Sequence, residues 1–228
     1  MILSDEDCRI LELAFSADRL NKYRLMVNGG ELATAIKLHQ LDTFLAAELT
    51  IPLRVLELTL RNTIHAGLSQ ARQTQFWFNA PGFEWREPEQ KKVEHAVKRA
   101  GHYGRSKVLA GDVVVQLYLG FWSRCFASTY ENDLWYPHLK GLFPDRRIGG
   151  QEVIDRLERL VRTRNRVAHH EPILPELAME ACRHIQFILY NLTSAQSKTS
   201  GVPTTIKILK PSFEKIEGHL KNIRALMR

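Results

Sequence analysis

The sequence predicts an all-α fold. Apolar residues recur at three- and four-residue spacing along nearly the whole chain, which is the period of a helix with one buried face. The interruptions hold glycine and proline, the residues that end helices. Strand-type alternation is scarce, and residues 202–209 are the one tract left open between helix and strand.

The first helix is expected after Ser4, whose hydroxyl can cap the first turn. Asp5, Glu6 and Asp7 bring negative charge to the positive end of that helix. Its stripe is Ile10, Leu11, Leu13 and Ala14. Gly29 and Gly30 close the next segment, since glycine takes the left-handed turn that ends a helix. Residues 31 to 71 form a long helical tract, with Leu32, Ala35, Ile36, Leu38, Leu41 and Leu45 followed by Leu53, Leu56, Leu60, Ile64 and Leu68. Pro52 lacks an amide donor and clashes one turn back, so the tract is two helices or one bent one.

Residues 72 to 88 hold Phe76, Trp77, Phe78, Phe83 and Trp85 among turn residues and read as an ordered aromatic loop on the core. A polar, basic helix follows from Pro88 to Gly101. Gly111 and Asp112 open an apolar helix through Val113, Val114, Leu117, Leu119, Phe121, Trp122 and Phe126, and a loop with Pro137, Pro144, Gly149 and Gly150 ends it. Residues 151 to 167 place Val153, Ile154, Leu157, Leu160 and Val161 on one buried face. The next helix starts after Pro172 and Pro175 and runs to about Ala195. Residues 194–203 are small and polar, as in a linker, and a short basic amphipathic helix spans about 212–227.

A chain of 228 residues, 44% of them hydrophobic, can bury one sizeable core. The expected organisation is a helical domain over 1–195, a linker over 196–210 and a basic C-terminal helix over 211–228. A net charge of +7 favours a polyanionic partner such as nucleic acid, although a lysine-rich solvated surface gives the same balance. Cys8, Cys125 and Cys182 are an odd, widely spaced set, against both a disulfide framework and a cysteine-built zinc site. The acidic N-terminus is unlike a secretory signal, and no apolar run approaches the roughly 18 residues of a membrane span. A cytoplasmic protein without a membrane partner is expected.

The segment Arg164-Asn165-Arg166-Val167-Ala168-His169-His170-Glu171 concentrates the chemistry. Histidine exchanges a proton near neutral pH, and arginine forks onto phosphate oxygens. RNA carries its own nucleophile in the 2′-hydroxyl, so these groups suit its cleavage without a metal or other cofactor. Asn165 could hold the imidazole or a phosphate oxygen. A five-residue step turns a helix by about 500°, which leaves Arg164 and His169 about 140° apart. They converge if the helix ends or bends between them, or if a second copy of the chain supplies the complementary group. The same residues are also consistent with a favourable charge arrangement at a helix C-terminus and polar surface histidines.

This segment resembles the Arg-Asn-x-x-x-His signature of the HEPN superfamily. Its surroundings are similar to the Abi-like (AbiD/AbiF-type) abortive-infection proteins. The supporting blocks are residues 52–62, with Glu57 and Leu60-Arg61-Asn62, and Gly120-Phe121-Trp122. The resemblance implies an HEPN-like helical bundle with additional helices that forms a homodimer, with the motifs of two protomers facing one composite cleft. It implies an endoribonuclease leaving 2′,3′-cyclic phosphate and 5′-hydroxyl ends, with Arg164 stabilising the phosphate, His169 as catalytic histidine and Asn165 as their polar companion. A non-catalytic RNA-binding or dimerisation module is the alternative within the same superfamily. A phage-defence or toxin-like role implies an antitoxin or an activating phage factor as partner. Some members carry a tyrosine two residues after the histidine, where a nucleotidyltransferase antitoxin acts; here that residue is Glu171, so this control is not expected.

His170, Glu171 and Arg166 are neighbours with supporting roles at most. Glu57, Arg61 and His65 could line the same cleft or form a structural pair on a packed helix. Lys91, Lys92, Lys98 and Arg99, with Arg105 and Lys107, could steer RNA or simply face solvent. Trp85 is the best candidate for base stacking among four tryptophans otherwise expected in the core. His169-His170-Glu171 does not have the spacing of a metal site.

Overall fold

The computed structural model describes residues 3–80, 84–101, 108–192, 198–199 and 202–227. Arg105 and Lys107 lie outside them. The protein is all-α: α1 Asp5–Phe15, α2 Ala17–Arg24, α3 Leu32–Arg72, α4 Glu87–Gly101, α5 Ala110–Val114, α6 Leu119–Arg124, α7 Gly150–Ala168, α8 Pro175–Asn191 and α9 Thr204–Met227. Among the described residues the one strand pairing is antiparallel, between Lys198–Thr199 (β1) and Val202–Pro203 (β2). Among the described residues no helix is long and apolar enough to cross a membrane.

The chain divides into two compact units. One is Met1–Pro52, Thr163–Cys182 and Leu209–Arg228; the other is Leu53–Arg162 and Arg183–Ile208. This differs from the expected succession of domain, linker and appended helix. The helix expected at 212 begins at Thr204 and carries Pro211 inside it. It is no appendage, because Leu209, Ile216, Leu220 and Ile223 are buried. Its charges also have partners in the same unit, with Lys215 3.8 Å from Glu48 and Arg224 3.9 Å from Glu176. Burial of an amphipathic face outweighs the single amide bond lost at the proline.

In the first unit Ser4 caps α1 as its sequence predicts: the hydroxyl accepts from Asp7 N at 3.1 Å and Asp7 accepts from Ser4 N at 2.9 Å. Gly29 and Gly30 take φ of +75° and +64° before α3 begins. From there α3 runs as one helix through Pro52. Its first half buries Leu38, Leu45 and Leu49, and one charged residue, Asp42, occupies the same stripe.

The second unit is built on aromatic rings. Trp85 is buried, with ring centroids 5.0 Å from Phe121, 5.6 Å from Tyr130 and 5.9 Å from Trp77. The stacking role considered for it is therefore corrected to core packing, which Trp77, Trp122 and Trp135 share. The single helix expected over 111–126 is two short ones. Consecutive β-branched Val113, Val114 and Val115 weaken a helix there, and side chains satisfy the backbone groups that the break exposes. Trp122 Nε1 donates to Leu117 O at 2.8 Å, and Glu57 accepts from Leu119 N at 3.0 Å. Residues Glu131–Leu139, expected in a loop, form a π-helical turn that buries Leu134, Trp135 and Leu139.

Glu89 is 3% exposed in the second unit, and its carboxylate needs donors there. Tyr130 Oη donates to it at 2.9 Å and accepts from Arg86 N at 2.8 Å, while Lys92 and Arg124 approach to 3.6 and 3.7 Å. Tyr130→Phe removes the donor to the buried Glu89 carboxylate and the acceptor of the Arg86 amide at once. It is expected to cost about 1–3 kcal/mol in urea unfolding, where a loss under 0.5 kcal/mol would show the hydroxyl to be dispensable.

Candidate functional site

The motif occupies the last turn and a half of α7 and the turn that ends it. His169 N still donates to Asn165 O at 2.9 Å, so helical register holds through His169. The chain then reverses. His170 has φ +55°, its amide donates to Val167 O at 3.3 Å, and the Glu171 amide donates to Arg166 O at 2.9 Å. This pair of bonds is the Schellman closure, which satisfies the last carbonyls of a helix and usually places glycine at the left-handed position. Here that position is a histidine, a conformation that costs about 1–2 kcal/mol for an L-residue.

Three side chains hold the turn from outside. Arg19 Nη1 of α2 donates to His170 O at 2.5 Å. Arg166 forks back to Pro172 O at 3.0 and 3.3 Å and lies 3.6 Å from Glu171. Asp42 of α3 accepts from Ile173 N at 2.8 Å through one oxygen and from Tyr23 Oη at 2.6 Å through the other. The segment 170–173 is thus fixed by α2, α3 and α7 together.

Burial raises the Asp42 carboxyl above the usual range, against the opposing pull of Tyr23, the Ile173 amide and the Arg166 charge. Burial and the Asp42 carboxylate push the Tyr23 phenol up, so it remains a donor. His39, stacked on Phe15 at 4.8 Å and edge-on to Tyr23 at 5.1 Å, is pushed down by burial and then by the charge of Arg19. Arg19, Tyr23, His39, Asp42, His170 and Glu171 line a cavity of about 270 Å³.

The predicted residues separate into groups. Asn165 and His169 are exposed, one turn apart on the same face of α7, and Arg164 is half-buried. Because helical register holds through His169, the residue that follows the last one of α7, Arg164 and His169 remain about 140° apart around the axis. His170 and Glu171 turn onto the cavity, and Arg166 braces the turn.

Comparisons with protein-family models, with curated proteins and with solved structures give no significant match.

Geometry alone therefore carries the reading of this site. Glu57 and Arg61 belong to the other unit. There Glu57 serves the α6 N-terminus, Arg61 Nε approaches Asn62 Oδ1 at 3.4 Å, and His65 accepts from Trp77 Nε1 at 2.8 Å. In place of a Glu57–Arg61 pair, the structure gives each a separate structural partner. In the same unit the α4 cations have neighbours too: Lys91 with Glu87 at 2.5 Å, Lys92 with Glu89, and Arg99 with Tyr118 at 3.3 Å. Lys98 lies in the last turn of α4.

Arg19, Tyr23, His39 and Asp42 are absent from the sequence expectation. One signal was available. Asp42 stands in a 4-3-4 apolar spacing with Leu38, Leu45 and Leu49, where a charge is out of place unless it is hydrogen-bonded.

Two outcomes follow. His170→Gly keeps the carbonyl that Arg19 uses and relieves the left-handed strain, so it should raise stability by up to about 1 kcal/mol. His170→Val should lower it by about 1–2 kcal/mol. The pH dependence follows from His39. Its folded-state pKa is depressed, so its contribution is present above the ordinary histidine value of about 6.5 and is lost as pH falls through the lowered value. Urea midpoints measured between pH 7.5 and 5 should fall more steeply for the wild type than for His39→Gln; equal slopes would show that His39 is not the group responsible.

Proposed function

We propose that this chain is a cytoplasmic HEPN-type endoribonuclease of an abortive-infection or toxin-like defence system, acting at a site composed by two copies of the chain. The observation that carries the reading is the exposed His169 at the end of α7, with Asn165 one turn below it on the same face and the following turn fixed from three sides. An exposed histidine at a helix end, followed by a turn whose backbone is fixed, is suited to proton transfer, because catalytic groups need placement.

In the proposed reaction the 2′-oxygen of the substrate attacks the adjacent phosphorus as His169 takes its proton. The bond to the 5′-oxygen breaks, and that oxygen leaves as a hydroxyl by taking the proton back from His169. Arg164 balances the charge on the crowded phosphorane. The products are a 2′,3′-cyclic phosphate and a 5′-hydroxyl end. Acid–base and charge roles are both filled by side chains, so the reading calls on no metal. The 140° separation within one chain is the reason a homodimer enters it: Arg164 of one copy would face His169 of the other. A site of this kind harms its own cell unless controlled, which makes an antitoxin or a phage-derived activator the expected partner.

The separation also favours a second reading, a non-catalytic RNA-binding or dimerisation module attracting RNA through its net charge of +7. Purified wild type should cut RNA in EDTA and leave cyclic-phosphate ends, with His169→Ala reduced at least about 10²-fold. Salt-sensitive RNA binding without scission would decide for the second reading. Mixing Arg164→Ala with His169→Ala chains should restore part of the activity that neither has alone, since the mixed dimer keeps one arginine opposite one histidine. Absence of any recovery, with dimers verified by light scattering, would exclude the composite site.

A further inference from the structure

The cavity beside the motif is lined unlike a phosphate site. Its lining holds two acidic residues, Asp42 and Glu171, and one arginine, Arg19, which already donates to His170 O at 2.5 Å, while Arg166 lies 3.6 Å from Glu171 outside the lining. An anion would meet those carboxylates. A neutral ring with N–H donors would meet acceptors instead, because each Asp42 oxygen receives one hydrogen bond and retains capacity for another. Ala46 and Val167 give the cavity an apolar wall. Its volume of about 270 Å³ lies just below the usual range of about 300–1,000 Å³ for ligand pockets, so a single ring-sized group fits it.

We infer that this cavity holds a nucleobase of the RNA strand next to the scissile linkage, with preference for a base that carries an exocyclic amino group. The source of the base rests on the ribonuclease reading above. Position links the two, since His170 and Glu171 directly follow His169 in the chain and turn onto the cavity. Recognition follows from chemistry: carboxylates accept from the amino group of cytosine and its counterparts, which uracil lacks. Single-stranded RNA presents such edges with its bases unstacked. His39, held neutral by burial, adds one ring donor and one acceptor. The cavity shares His39 and Thr43 with a larger one of about 750 Å³, where Phe15 and Phe44 are 37% and 48% exposed. These rings offer the strand a surface on which an adjoining base stacks.

The test uses the full-length His169→Ala protein, which can bind without cutting, and the ring resonances of His39 and His170. AMP, CMP, GMP and UMP are titrated singly, with ribose 5-phosphate as the control that has sugar and phosphate but no base. At least one amino-bearing nucleotide should shift both resonances saturably and bind about tenfold or more tightly than UMP. Ribose 5-phosphate should leave them unmoved. A trinucleotide containing the preferred base should bind more tightly than the mononucleotide if the base belongs to a strand; weaker binding overturns that assignment. Ala46→Leu, which fills the cavity, should abolish the shifts, and Glu171→Gln should narrow the preference over UMP. Silence with all four nucleotides, an equal response to UMP, or a response to ribose 5-phosphate overturns the base site. Binding is read here without catalysis, so shifts with no RNA cleavage by wild type sink the ribonuclease reading alone, and cleavage with silent titrations sinks only the base site.

Discussion

A carboxylate buried inside an apolar helix stripe needs hydrogen-bond donors from its surroundings, and that requirement organises the region around the motif. Asp42 is 6% exposed, between Leu38 and Leu45 on α3. Its two oxygens take one donor from α2, the Tyr23 hydroxyl, and one from the segment before α8, the Ile173 amide. Leaving either donor unmade would cost about 1–3 kcal/mol, and more if the carboxyl is charged. The three segments are therefore held in one arrangement by one side chain. Burial raises the Asp42 carboxyl while the Arg166 charge opposes that rise, so the residue that braces the turn on one side also steadies the aspartate beneath it.

The left-handed turn at His170 is the second consequence. A helix that ended in glycine would close without strain; this one closes on histidine and is over-determined by Arg19, Arg166 and Asp42. Strain of this kind persists where surrounding contacts outweigh it, and it collects at functional sites. The strained residue lines a cavity of polar and apolar side chains, and the residue before it is the exposed histidine of the motif. Under the proposed function, a fixed turn directly after His169 has a purpose, since catalytic groups depend on the placement of the backbone that carries them.

The basic character of the chain is dispersed. Several cations that looked available in the sequence have acidic or aromatic neighbours: Lys91 and Lys92 pair along α4, Arg99 lies over the Tyr118 ring at 5.6 Å, and Lys215 and Arg224 pair within the first unit. Exposed pairs of this sort contribute little to stability. They do lower the local positive potential. Electrostatic attraction of a polyanion then depends on the net charge of +7 more than on one dedicated basic helix.

The sequence by itself determined the helical class, because a three-to-four-residue apolar period can bury one face only as a helix. It also determined the Ser4 cap, the glycine turn before α3 and the position of the Arg164–His169 segment at a helix end, since these are set by residues within one or two turns of one another. It could not separate α5 from α6, because the break is stabilised by Glu57, 62 residues away from Leu119. Nor could it place Trp85 in the core or α9 inside the first unit, where burial decides. The site divides along the same line. Arg164, Asn165 and His169 were legible as a local pattern, whereas Arg19, Tyr23, His39 and the role of Asp42 depend on contacts such as Arg19 to His170, 151 residues apart. Local spacing fixes which residues share a turn; only tertiary packing decides which distant donors and acceptors a buried carboxylate and a strained turn recruit.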